Sequence, residues 1–210
     1  MSVGRIIQTE ACIAEGLAYL GANVPQFAVA IDLCPDVPLR RVEDGYDRLL
    51  GAIVSQQVSV AAARAIWGKL EAGGFTTQAA IQAADVETLR AHGLSKQKAT
   101  YAKALADAQI DFIALRDAPT DQVVKTLVEV KGIGVWTAEI YAMFALGRAD
   151  VFAPGDLALQ EAARMLFDLP ERPKEKDLRV MAEDWSPWRA VAARLLWAYY
   201  HVAKEREGIA

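Results

Sequence analysis

Apolar residues recur along this chain at the spacing of one helix face. Tyr46, Leu49, Leu50, Ile53, Val54 and Gln57 follow an i, i+3, i+4, i+7 rhythm, and Trp188, Val191, Ala192, Leu195, Leu196, Tyr199 and Tyr200 repeat it near the C-terminus. A helix turns once in about 3.6 residues, so this rhythm lines up a single buried stripe. No stretch alternates convincingly between apolar and polar positions, and almost no sheet is expected. Helix starts are signalled by Asp85 ahead of Leu89, Ser95 ahead of an alanine-rich run, Thr120 ahead of Val123 to Val130, and Ser186-Pro187 ahead of the last helix.

Breaks fall at Cys34-Pro35-Asp36-Val37-Pro38, Ala72-Gly73-Gly74, Asp117-Ala118-Pro119, Pro154-Gly155 and Pro170-Glu171-Arg172-Pro173. Each is a short connection, which favours close helical packing over domains on flexible linkers. The expected architecture is all-α, with two helical lobes and a cleft between them. Residues 45–148 form one lobe; residues 1–44 together with 149–210 form the other.

Composition narrows the class. With 210 residues, 53% of them hydrophobic, the chain can bury a substantial core. It has no apolar run long enough to cross a bilayer and no basic, then apolar, leader at its start, so an intracellular protein without membrane contact is expected. Cys12 and Cys34 are far from any CxxC pair and read as buried thiols, not as a metal cage or a disulfide. A net charge of −4, with a pI near 5.3, runs against the basic excess usual in nucleic-acid binders. Local clusters at Arg64/Lys69, Lys96/Lys98/Lys103 and Lys131 could still give one basic face, although each also reads as ordinary solvated charge.

The chemistry-bearing pattern is Leu127-Val128-Glu129-Val130-Lys131-Gly132-Ile133-Gly134-Val135-Trp136-Thr137-Ala138, followed downstream by Val151-Phe152-Ala153-Pro154-Gly155-Asp156. Thr120 to Val130 reads as one helix, Lys131 to Val135 as a tight turn and Trp136 to Gly147 as a second helix: a helix-hairpin-helix over 120–147. The amides of Gly132, Gly134 and Thr137 would then be free to hold a phosphate, with Lys131 beside them, because the first amides of a helix have no intrahelical acceptor. Such contacts grip a DNA backbone without reading its sequence, and would make the cleft a DNA-binding one. A plain helix-helix turn with glycine at its C′ position explains the two glycines alone about as well.

With these residues the chain resembles the helix-hairpin-helix-GPD base-excision glycosylases, and within them the DNA-3-methyladenine glycosylase II (AlkA/Mag) branch. The resemblance rests on Ile53 to Ala63 (Ile-Val-Ser-Gln-Gln-Val-Ser-Val-Ala-Ala-Ala), on Val130 to Ala138, on Val151 to Asp156 and on Trp185-Ser186-Pro187-Trp188-Arg189, in that order from about residue 45 to the end. It looks like the compact, purely helical form, without the extra β-domain of larger bacterial members.

The resemblance implies a monofunctional DNA glycosylase of base excision repair. It would act as a monomer on double-stranded DNA, flipping out alkylated bases such as 3-methyladenine. Asp156 would be the catalytic carboxylate that stabilises the oxocarbenium-like sugar as the N-glycosidic bond breaks. Asp before an apolar run is also a good helix N-cap, and the two roles are compatible. Trp136 and Trp188, and more weakly Tyr141 and Phe152, would wall the base pocket; aromatic faces hold a cationic alkylated purine well, and they also fill cores.

Bifunctional relatives carry a lysine nucleophile where this chain has Trp136, so base removal without strand cleavage is expected. In the bacterial prototype a leucine wedge follows the first glutamine of this block, where this chain has Gln56-Gln57; Gln57 or another residue would plug the gap, or both glutamines would hydrogen-bond a buried loop instead. A sodium or potassium ion on the main-chain carbonyls of Val128, Val130 and Gly132 is implied as well. The cysteine cluster of iron-sulfur relatives is missing, and no cofactor is required. The alternatives are a non-catalytic helix-hairpin-helix DNA-binding protein, or a glycosylase for uracil or hypoxanthine.

Overall fold

The computed structural model describes residues 3–206. Its helices, in chain order, are α1 (Glu10–Asn23), α2 (Pro25–Leu33), α3 (Tyr46–Ser55), α4 (Val60–Ala72), α5 (Gln78–Ala83), α6 (Val86–Ala91), α7 (Lys96–Asp107), α8 (Phe112–Asp117), α9 (Thr120–Val128), α10 (Val135–Phe144), α11 (Leu157–Leu166), α12 (Glu175–Met181) and α13 (Arg189–Arg206), with a 3-10 turn at Ala182–Trp185. Among the described residues the only β-type pairing is an isolated bridge between Ile6 and Arg148. No described helix is long and apolar enough to cross a membrane. Every break read from proline and glycine falls between helices.

The chain divides into two compact units, Met1–Arg41 with Ala142–Ala210, and Val42–Tyr141. The division falls inside α10, not at residue 148. The reason is visible at the end of that helix: the carbonyl of Met143 accepts from Arg194 and the Phe144 ring stacks on Trp197, both of α13.

Unit 2 (42–141) is organised on α7. Leu49, Leu50, Ile53 and Val54 of α3 are essentially inaccessible, as are Ala99, Ala102, Leu105 and Ala106 of α7, and the two helices pack directly. Burying each of the larger apolar side chains contributes about 2 kcal/mol. Ser59, Thr77, Asp85, Ser95 and Asp111 cap the helices that follow them by accepting an amide proton.

Unit 1 packs α13 against α1, α2 and α11. Its aromatic centre is Trp185, stacked on Phe167 at 5.8 Å and met edge-on by Phe27 and Phe152, each at 5.2 Å.

Several local expectations are corrected. Thr120 is the first residue of α9, not its cap, and Pro119 precedes it without a side-chain bond. Ser186-Pro187 closes the 3-10 turn through a cis peptide, and α13 starts at Arg189; the Ser186 hydroxyl is spent on Asp150 at 2.9 Å. Gln57 does not continue the α3 stripe: the helix ends at Ser55, and Gln57 turns the chain at φ +54°. Cys34 is buried, but Cys12 is half-exposed; amides of Gln8 and Thr9 bond its sulfur and pull the thiol down to about 7.

Two of the lysines read as a basic cluster instead end helices. Lys98, only 8% exposed, donates to the Val54 carbonyl of α3 at 2.7 Å, and burial lowers its pKa. Lys103 donates to the Gln82 carbonyl of α5 at 2.6 Å. An ammonium at a helix C-terminus meets carbonyls with no intrahelical donor, which is why a lysine is stable there.

Candidate active site and nucleic-acid interface

In unit 2, α9 stops at Val128 and a turn through Glu129–Gly134 leads into α10. The first helix is two residues shorter than the sequence rhythm suggests, and the second ends at Phe144, ahead of Gly147 with its φ of +72°.

Gly132 carries the conformational demand of the turn. Its φ is +98°, and an added Cβ would lie 2.3 Å from Cγ of Tyr101. Gly134 faces open space, with nothing within 4 Å of such a Cβ. Lys131, Gly134 and Trp136 are exposed, whereas Thr137 is buried. The first intrahelical bond runs from Ala138 N to the Gly134 carbonyl, so the amides of Val135, Trp136 and Thr137 point along the helix axis toward the turn.

Of the carbonyls implied as cation ligands, Val130 accepts from Ile133 N at 3.0 Å and Gly132 accepts from Gln56 Nε2 at 2.9 Å. A carbonyl oxygen has two lone pairs, so one such bond leaves it able to ligate a hard ion.

A cavity of about 240 Å³ adjoins the hairpin. Trp136, Thr137, Ile140 and Tyr141 of α10 line one side, and Arg48, Ser55 and Gln56 the other. Trp136, 46% exposed, is the large aromatic surface of this cavity. Tyr141 also borders it, but its hydroxyl accepts from Gly45 N at 3.0 Å and burial pushes its pKa up to about 12. Gln57 is exposed on the turn after α3.

In unit 1, Val151 to Pro154 are buried and Gly155-Asp156 emerge half-exposed at the start of α11. Asp156 is the N-cap of that helix. Its Oδ1 accepts from Ala158 N at 2.9 Å, Leu159 N at 3.1 Å and the indole Nε1 of Trp197 at 3.3 Å. Gln160, one turn on and buried, donates to the Pro154 carbonyl at 2.8 Å and braces the turn from behind. The carboxylate is thus held in one orientation by backbone and side-chain donors together.

The remaining aromatic candidates have packing roles. Trp188 is 5% exposed and lies against Gly16, where an added Cβ would come within 2.9 Å of its ring. Phe152 is buried edge-on to Trp185. Their aromatic character is accounted for by unit 1's core. Trp197, not among the base-pocket residues expected from the sequence, is the tryptophan that touches Asp156, and it stacks on Phe144 at 5.7 Å.

Residues 50–189 match the model of the HhH-GPD superfamily base excision DNA repair proteins. DNA-3-methyladenine glycosylase 1 of Schizosaccharomyces pombe is 33% identical over 171 residues, covering 76% of this chain and 75% of the relative. A DNA-3-methyladenine glycosidase from Bacillus halodurans has a TM-score of 0.81 at 31% identity, covering 96% of this chain and 94% of that one. The S. pombe 3-methyladenine DNA glycosylase Mag1, solved with abasic DNA, has a TM-score of 0.75 at 30% identity, covering 87% and 95%.

Proposed function

We propose, from the premise that this chain belongs to the HhH-GPD superfamily of base excision DNA repair proteins, that it hydrolyses the N-glycosidic bond of alkylated bases in duplex DNA. The single observation that carries the reading is the oriented Asp156 carboxylate, with three donors converging on its Oδ1. Glycosidic cleavage builds positive charge on the sugar, and a carboxylate already locked in place stabilises that charge without reorganising.

The hairpin supplies the anchor. Amides at the start of α10, with Gly132, Gly134 and Lys131, bind a phosphate of the damaged strand, and Val128, Val130 and Gly132 would hold a monovalent cation that adds positive charge beneath it. Trp136 offers its exposed face to the extruded base, which has to leave the stack for chemistry to occur. An indole face holds a cationic alkylated purine, such as 3-methyladenine, better than a neutral base.

Trp136 also bears on the reaction outcome. An indole cannot form an imine with the sugar, so the product is an intact strand with an abasic site. Borohydride added during turnover is expected to trap no covalent protein-DNA adduct, and efficient trapping overturns this part of the reading. The central test is release of free methylated base from methylated duplex DNA by the wild type and by Asp156→Asn. Asparagine caps a helix as well as aspartate does but carries no charge. Equal release by both proteins would falsify the catalytic assignment.

A further inference from the structure

Three contacts in unit 2 link elements that the glycosidic chemistry does not itself require to touch. Gln56, the C-cap of α3, reaches across to the hairpin and donates from Nε2 to the Gly132 carbonyl at 2.9 Å. Tyr101 of α7 lies directly beneath Gly132, and its hydroxyl receives Gln97 Nε2 at 2.6 Å. Lys98, between those two α7 residues, sends its buried ammonium to the Val54 carbonyl, two positions ahead of Gln56. One helix therefore supports both the end of α3 and the hairpin turn, and the Gln56 amide closes the triangle.

The next residue is Gln57, exposed and held at φ +54°. A left-handed conformation in a residue other than glycine costs energy, and it persists where the surroundings impose it. Here the imposing contacts are those of Val54 and Gln56 on either side of Ser55.

We infer that Gln56 is a positioning residue that ties the Gln57 turn to the phosphate-gripping turn, so that both engage damaged DNA as one body. The inference rests on the glycosylase reading for its functional consequence. The Gly132 carbonyl accepts, so it selects the NH₂ end of the amide, and shape alone cannot replace that donor. Leucine fills similar space with no donor, ionised glutamate sets oxygen against oxygen, and lysine restores a donor.

The experiment compares wild type with Gln56→Leu, Gln56→Glu and Gln56→Lys. Binding is measured to an undamaged duplex and to one carrying a tetrahydrofuran abasic-site analogue, together with single-turnover release of 7-methylguanine. In Gln56→Leu and Gln56→Glu the preference for the tetrahydrofuran duplex and the release rate each fall about tenfold, the effect of one lost hydrogen bond. Affinity for the undamaged duplex and the unfolding midpoint stay near wild type, and Gln56→Lys recovers most of the loss. Wild-type behaviour of Gln56→Leu, or of Gln56→Glu, overturns the inference, because shape would then suffice. A wild-type protein that prefers the tetrahydrofuran duplex but releases no base sinks the glycosylase reading alone; the Gln56 variants still decide the coupling through that preference.

Discussion

Gly134 precedes α10 and Asp156 precedes α11, and the two helix starts use their first amides differently. Gly134 has no side chain with which to accept those protons. Asp156 turns its own carboxylate onto Ala158 N and Leu159 N, so α11 carries a built-in anion at its tip. Under the proposed function the entrance of α10 faces a DNA phosphate, whereas the entrance of α11 holds the chain's own carboxylate in place.

The sharpest way to break this contrast is Asp156→Asn, which preserves the clamp and removes the charge. Base release is expected to fall by about a hundredfold or more, with duplex binding and unfolding midpoint nearly unchanged. A large loss of stability would mean that Asp156 mattered chiefly as a cap.

Next in size is the pair Gly132→Ala and Gly134→Ala. The first must accommodate φ +98° and the Tyr101 ring, and should cost about 1–3 kcal/mol in denaturant unfolding. The second has room for its methyl group and should leave stability within about 0.5 kcal/mol of wild type. A drop in DNA affinity for Gly134→Ala at unchanged stability would place a phosphate against that Cα; wild-type affinity would remove Gly134 from the grip.

A smaller effect is expected from Trp197→Phe, which keeps an aromatic ring near Phe144 but deletes the indole donor to Asp156. Turnover should fall by about tenfold with little change in KM, read from steady-state kinetics. Smallest of all, Lys131→Ala should lessen the salt dependence of duplex binding by about one phosphate contact, and Lys103→Ala should not. Equal slopes in the two variants would deny Lys131 a place at the backbone.

The pattern of what the sequence revealed follows the range of the contacts. The caps at Asp85 and Ser95, the breaks, the Gly132 turn and the Asp156 turn depend on neighbours a few positions away, and those residues declared themselves. Trp197 reaches Asp156 across 41 positions, Lys98 reaches Val54 across 44 and Gln56 reaches Gly132 across 76. No local signal separates such a tryptophan from Trp188, which serves the core, or such a lysine from a solvated one. The end of α3 was misread for a related reason: Gln57 kept the spacing of the apolar stripe, but the chain had already turned.

Unit 2 is one uninterrupted segment, while unit 1 is assembled from both ends of the chain. During synthesis a ribosome therefore completes residues 42–141 while α1 and α2 are still waiting. They pack on each other, but the apolar surface around Ile13, Leu20, Phe27 and Ala30 gains the cover of α11 and α13 only when those helices emerge. Until then part of that surface stays open, a natural client for chaperones, and the Asp156 turn takes shape only after the whole of unit 2 has been made.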